Sequence, residues 1–188
     1  MGKAAHEAAI SEDRLIRRLV KLVTDLDLDR RDFVIFGSGP LLAHGLRRSI
    51  RDLDVVARGT AWDSVSRYGC PADGAINGAP MALFWDGLIQ FSQGWIPPKD
   101  KDWGTRDTDD LIDRAEVIQG LPFAQLTDVL AYKQNLNRPK DRADIRALLD
   151  LLSPPGPIHG LPSSHPARTD ACFASIRRSL GYPAGRQP

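Results

Sequence analysis

One stretch constrains this chain more than any other: residues 33 to 56. Phe33-Val34-Ile35-Phe36 is a short run of β-branched and aromatic residues that stops at Gly37-Ser38-Gly39. Such a run, closed by a glycine, predicts a buried strand. About one helix-length later, Asp52-Leu53-Asp54-Val55-Val56 opens a second apolar run. In a strand, residues i and i+2 share a face, so Asp52 and Asp54 project together. The glycines let another group approach the main chain, and amides opening a helix behind Ser38 favour an anion, phosphate above all. Two adjacent carboxylates repel unless a cation lies between them. Hard oxygen ligands suit Mg²⁺ or Mn²⁺, and Mg²⁺ characteristically takes one or two carboxylates plus substrate phosphates. A phosphate cradle beside a carboxylate pair predicts a nucleoside triphosphate site.

The surrounding chain supplies a domain to hold such a site. At 188 residues with a formal charge of +1, it is long enough to bury a core and too nearly neutral for a dedicated polyanion binder. Cys70 and Cys172 form neither a disulfide framework nor a metal spacing, and no run reaches transmembrane length, so a cytoplasmic protein without membrane contact is expected. Ser11-Glu12-Asp13 marks a helix start, followed by a helical stripe from Leu15 to Leu26. A short helix is expected from Pro40 to Leu46, and another from a capping Thr60 to about Tyr68. Gly69 to Pro80 reads as turn. Met81–Trp85 and Leu88–Phe91 flank the hairpin signal Asp86-Gly87. Trp95 to Thr108 reads as a loop able to cover a site, and Ala115 to Ile118 as a short strand. Thr127-Asp128 caps a helix to about Leu136. Arg138 opens the last strong helix, with Ala143, Ile145, Leu148, Leu149 and Leu152 as its apolar positions. From Ser153 the prolines and glycines of a linker begin. The domain limits are therefore 1–152, with 153–188 a Pro/Gly-rich extension that includes a short helix.

Gly37-Ser38 followed by Asp52-Leu53-Asp54-Val55 resembles the signature of the nucleotidyltransferase superfamily with a DNA-polymerase-β-like palm. Lys133-Gln134-Asn135-Leu136-Asn137-Arg138-Pro139-Lys140-Asp141-Arg142-Ala143-Asp144-Ile145 is similar to a stretch of the AbiEii-type toxins and of the small lincosamide and aminoglycoside nucleotidyltransferases. The resemblance implies an α+β fold, a small mixed sheet flanked by helices. It also implies metal-dependent transfer of a nucleoside monophosphate from a triphosphate to a hydroxyl or phosphate acceptor, most simply a small molecule, with RNA or protein as other acceptors. Gly37, Ser38 and Gly39 would hold phosphates, and Asp52 and Asp54 the metal. Lys133 would reach a phosphate, with Lys140 also at the nucleotide, and Asp141 and Asp144 would order the helix or orient a base or ribose. Apart from the resemblance, Arg47, Arg48 and Arg51 cluster just before the aspartates, either as a solvated basic loop or with one of them, Arg51 being the candidate, on a triphosphate, since guanidinium forks suit phosphate. A third carboxylate is expected on a later strand, where this chain has Gln90. Asp86, Asp100 and Asp102 are candidates to substitute for it. The alternative is a degenerate nucleotide-binding or antitoxin-like module.

Overall fold

A computed structural model describes residues 10–75, 78–94 and 107–153. The predicted extension after Ser153 and the predicted loop from Trp95 through 106 lie outside the described residues.

Helix α1 (Arg14–Asp25) is capped by Asp13, whose carboxylate accepts from the amides of Leu15 and Ile16. The cap therefore falls two residues after the predicted Ser11, because the Asp13 side chain reaches two of the donors that a helix start leaves open. Strand β1 (Phe33–Ile35) leads through the Gly-Ser turn into α2 (Gly39–Ala43), which is a single turn and shorter than predicted. Strand β2 (Leu53–Ala57) carries Asp54, and α3 (Gly59–Tyr68) follows it. Thr60 is inside α3 rather than capping it; its hydroxyl donates to Asp32. Strands β3 (Cys70–Asp73), β4 (Pro80–Phe84) and β5 (Ile89–Gln93) form a meander. The turn between β4 and β5 places Trp85, Asp86 and Gly87 all at positive φ. Helix α4 (Thr108–Asp113), the hairpin β6 (Glu116–Ile118) and β7 (Leu121–Phe123), α5 (Leu126–Leu136) and α6 (Arg142–Leu152) complete the described chain. Helix α5 starts after Gln125 with no side-chain cap, and Asp128 instead binds Arg114 at 2.8 Å.

The seven strands form one mixed sheet in the order β3-β4-β5-β2-β1-β7-β6. Strand β2 runs antiparallel to β1 and parallel to β5, and β1 runs parallel to β7. With helices on both faces, this is the α+β class that the sequence predicts.

Alternation along the central strands divides the core. Phe33, Ile35, Leu53, Val55, Ile89 and Phe91 point to one face, where the apolar stripes of α1 and α3 cover them. Val34, Phe36 and Val56 point to the other, against α4, α5 and Leu148 of α6. Asp54, two residues from Val56, therefore belongs to the second face, and the helices leave that end of the strands open.

Helix α6 is the clearest departure from the apolar pattern. Its buried residues are Asp144 and Leu148, whereas Leu149 and Leu152 are exposed. The helix turns a carboxylate inward because a buried lysine waits there.

Candidate functional site

A cleft of about 650 Å³ opens where the C-terminal end of β1 meets the N-terminal ends of β2 and β5. Gly37, Ser38, Asp52, Asp54 and Gln90 all line it, as do Arg51, Lys133, Lys140 and Asp141. Gly39 and Asp144 are buried beside it and do not line it.

Gly37 joins the turn to the carboxylates. Its φ is +63°, and a Cβ there would fall 2.1 Å from Oδ2 of Asp54. Only a residue without a side chain takes that backbone and admits that oxygen. The Phe36 amide donates to the Asp54 carbonyl at 2.9 Å and Gly39 to the Phe36 carbonyl at 3.1 Å. Among the described residues, the amides of Gly37 and Ser38 have no backbone acceptor. These two amides, rather than the dipole of a five-residue helix, are the donors available to an anion.

Asp54 is half-buried, and Asp52 beside it is exposed. Burial and the Asp52 charge push the Asp54 carboxyl up to about 6, against the pull of Lys133, Lys140 and Arg138. Asp54 and Gln90 are register partners on parallel strands, so they are neighbours on the same face. The Gln90 amide nitrogen donates to the Gly87 carbonyl at 2.9 Å, which leaves its oxygen as the pole free to face the cleft. Asp86 is exposed in the preceding turn and does not line the cleft. Asp100 and Asp102 lie outside the described residues.

The opposite wall comes from α5 and from Arg138, Lys140 and Asp141 in the turn that leads into α6. Lys133 is 3% exposed, and its ammonium lies 3.0 Å from Oδ1 of Asp141 and 2.9 Å from Oδ2 of Asp144. Arg47 adds a two-pronged contact to Asp144, 2.8 Å for each nitrogen. Arg138 binds the second oxygen of Asp141 and lies over the Tyr132 ring. Burial raises the Asp141 carboxyl, but hydrogen bonds from Arg138 and Lys133 outweigh it, so it stays below the usual carboxylate range. For Asp144 the same contest is settled by Arg47 and Lys133. The two aspartates thus order the helix junction by holding Lys133. Tyr132 packs edge-on against Phe36, and burial pushes its hydroxyl up to about 12.

The sequence offers Arg47 only as one of three arginines of which one contacts a triphosphate, and gives no sign of its bond to Asp144; Tyr132 carries no site signal at all. Arg47 belongs to a basic cluster with Arg48 and Arg51, and nothing in the local pattern shows that it pairs with a residue 97 positions away. Tyr132 is adjacent to Lys133, and helical spacing alone does not show which of the two enters a cleft.

No family model matches the chain, and no curated protein matches it. Among solved structures it is similar to a candidate nucleotidyltransferase from Thermotoga maritima. The two share 16% identity over 72% of this chain and 92% of the other, with a TM-score of 0.48. At that distance, function rests on the geometry of the cleft.

Proposed function

We propose that the chain is a nucleotidyltransferase that binds a nucleoside triphosphate with a divalent cation and moves the nucleoside monophosphate to a small-molecule acceptor. The observation that carries this is the seating of Asp54 in the space left by Gly37, which makes the Gly-Ser turn and the carboxylate pair one site. The donor set fits Mg²⁺ or Mn²⁺: Asp52 and Asp54 supply two hard oxygens, and a triphosphate would supply the rest. Burial first, and the Asp52 charge second, disfavour the ionised form of Asp54, and a bound cation would offset both. When bound, such a cation neutralises phosphate charge and stabilises the attacking and leaving oxygens of an in-line displacement.

The chain's own groups have separable roles. The Gly37 and Ser38 amides would receive β and γ phosphate oxygens. Arg51 and Lys140 would add positive charge at the rim. Lys133 would act chiefly through Asp141 and Asp144, which it fixes against Arg138 and Arg47. The narrower resemblance, to the AbiEii-type toxins and the small antibiotic nucleotidyltransferases, belongs to this proposal, and so does a cytoplasmic location. No helix among the described residues is long and apolar enough to cross a membrane.

One observation favours a second reading, binding without transfer: the neighbour of Asp54 on β5 is an amide rather than an acid. The native chain incubated with Mg²⁺ and each nucleoside triphosphate should release pyrophosphate when an acceptor is present, and Asp54→Asn should abolish the release. Activity that appears only in Gln90→Glu would instead establish the binding reading for the native chain.

A further inference from the structure

The residues around Gln90 bear on what the acceptor is, given the nucleotidyltransferase reading on which this inference rests. Among the described residues that line the cleft, the carboxylates are Asp52, Asp54 and Asp141, and there is no histidine. Asp141 is held by Lys133 and Arg138. Asp52 and Asp54 are the metal candidates. Gln90 occupies the register position beside Asp54 and offers a neutral oxygen that takes no proton at neutral pH. An alcohol must lose its proton during attack, and a positioned base accelerates that loss. A phosphate monoester has its second pKa at about 6 and is already ionised at neutral pH. The cleft also has two cations suited to an anionic partner, since Arg51 and Lys140 line it and form no ion pair among the described residues. A neutral residue at 90 spares such an anion a third repelling charge beside Asp52 and Asp54.

We propose that the acceptor is a phosphate monoester of a small molecule, so that the product is a phosphoanhydride. An ionised oxygen of the acceptor phosphate forms a bond to the α-phosphorus of the triphosphate. The bond from that phosphorus to the oxygen bridging to the β-phosphate breaks, and pyrophosphate leaves with the electron pair. No proton is transferred, and nothing is oxidised or reduced.

The test uses the full chain with Mg²⁺, ATP and two matched pairs, glycerol 3-phosphate against glycerol and ribose 5-phosphate against ribose. Inorganic phosphate serves as the minimal acceptor, converting ATP to ADP and pyrophosphate. Pyrophosphate release gives kcat/KM, and phosphorus NMR of the product distinguishes the coupled phosphorus pair of a phosphoanhydride from the phosphodiester that transfer to a hydroxyl would give. Calorimetry with a non-hydrolysable ATP analogue gives the affinity for each phosphorylated member. The phosphorylated member of each pair should be preferred by at least about tenfold, a difference of one charge-sized interaction. Gln90→Glu should shift that preference toward the alcohol and weaken calorimetric binding of the phosphorylated member by about tenfold. Arg51→Ala, an exposed substitution, should lower kcat/KM for ribose 5-phosphate by a larger factor than for ribose, because any loss of ATP binding is common to both. Preference for the alcohols, or a preference that Gln90→Glu leaves unmoved, overturns the inference with the transferase reading intact. ATP binding with transfer to no acceptor overturns the inference and supports the binding reading. If ATP does not bind, the assay is run with GTP, CTP and UTP, and failure to bind any of the four overturns both.

Discussion

Replacing Lys133 with methionine removes the cation at the centre of the buried ion network and keeps nearly the same side-chain volume. Lys133, Asp141 and Asp144 are 3%, 2% and 5% exposed. Taking one partner out of a buried ion pair costs about 3–5 kcal/mol, because the remaining charge stays buried. Each aspartate here retains an arginine, and those two arginine side chains are 32% and 33% exposed. The low end, about 3 kcal/mol, is therefore expected. For a unit of this size, that lowers the melting temperature by about 6–12 °C. Differential scanning calorimetry of the ligand-free protein at pH 7.5 measures it directly.

The pH dependence has a fixed sign. Asp141 and Asp144 have folded pKa values below the ordinary range. Such groups contribute stability in full above the unfolded carboxylate value of about 4 and lose it as pH falls through the lower folded values. The gap between wild type and Lys133→Met should therefore narrow on acidification to about pH 3. If Lys133 served only to bind phosphate, the ligand-free melting temperature would hold and only the shift given by nucleotide would be lost. A variant melting within about 2 °C of wild type refutes the network's structural role.

Asp54→Asn should do the opposite. The folded pKa of about 6 lies above the ordinary 3.8, so ionised Asp54 costs stability as pH rises through that window and throughout the range above it. At pH 7.5 the asparagine variant should be more stable by about 1–2 kcal/mol, a figure discounted for partial exposure, and should show no melting shift with MgATP. Gly37→Ala should destabilise by about 2 kcal/mol in urea unfolding, since it combines a left-handed backbone with a Cβ driven into Asp54. It should also weaken MgATP by at least about tenfold in calorimetry, because the carboxylate must move. Arg47→Lys keeps the charge at Asp144 but loses the two-pronged contact, and thermal unfolding should show a loss of about 1 kcal/mol.

The parts of this fold that were legible in the sequence are those that local chemistry decides. Phe33 to Phe36 is apolar on both faces because helices cover both, and so it stands out as a buried strand. Asp52 and Asp54 both reach the cleft as their two-residue spacing predicts, although β2 begins only at Leu53 and Asp52 stands just before it. The Asp86-Gly87 signal placed the β4–β5 turn because positive φ favours those residues. The missed elements lack such signals. Strand β3 is an edge strand with Pro71 in it and mostly exposed residues, so no alternation marks it. Strand β7 is three residues long and contains Pro122.

The error at α6 has a different origin. Periodicity assumes that buried positions are apolar, but Asp144 is buried because Arg47 and Lys133 neutralise it from elsewhere in the chain. The resemblance sets Lys133 at a phosphate, and nothing local shows that its ammonium also holds Asp141 and Asp144. Long-range charge pairing leaves no trace in a local window.

The parallel pairing of β2 with β5 also bears on how the cleft comes into being. Parallel neighbours need a crossover between them, and here the crossover is α3, β3 and β4, placed between Ala57 and Ile89. The hairpin β4–β5 can close locally, and so can β1 through β2, but neither half contains the floor of the site. Asp54 meets Gln90 only when the two halves dock. That contact spans 36 residues by their numbering, and such non-local closures come late in folding. Occupancy of the cleft by ligand therefore reports that β2 and β5 have docked, because neither half alone brings Asp54 beside Gln90.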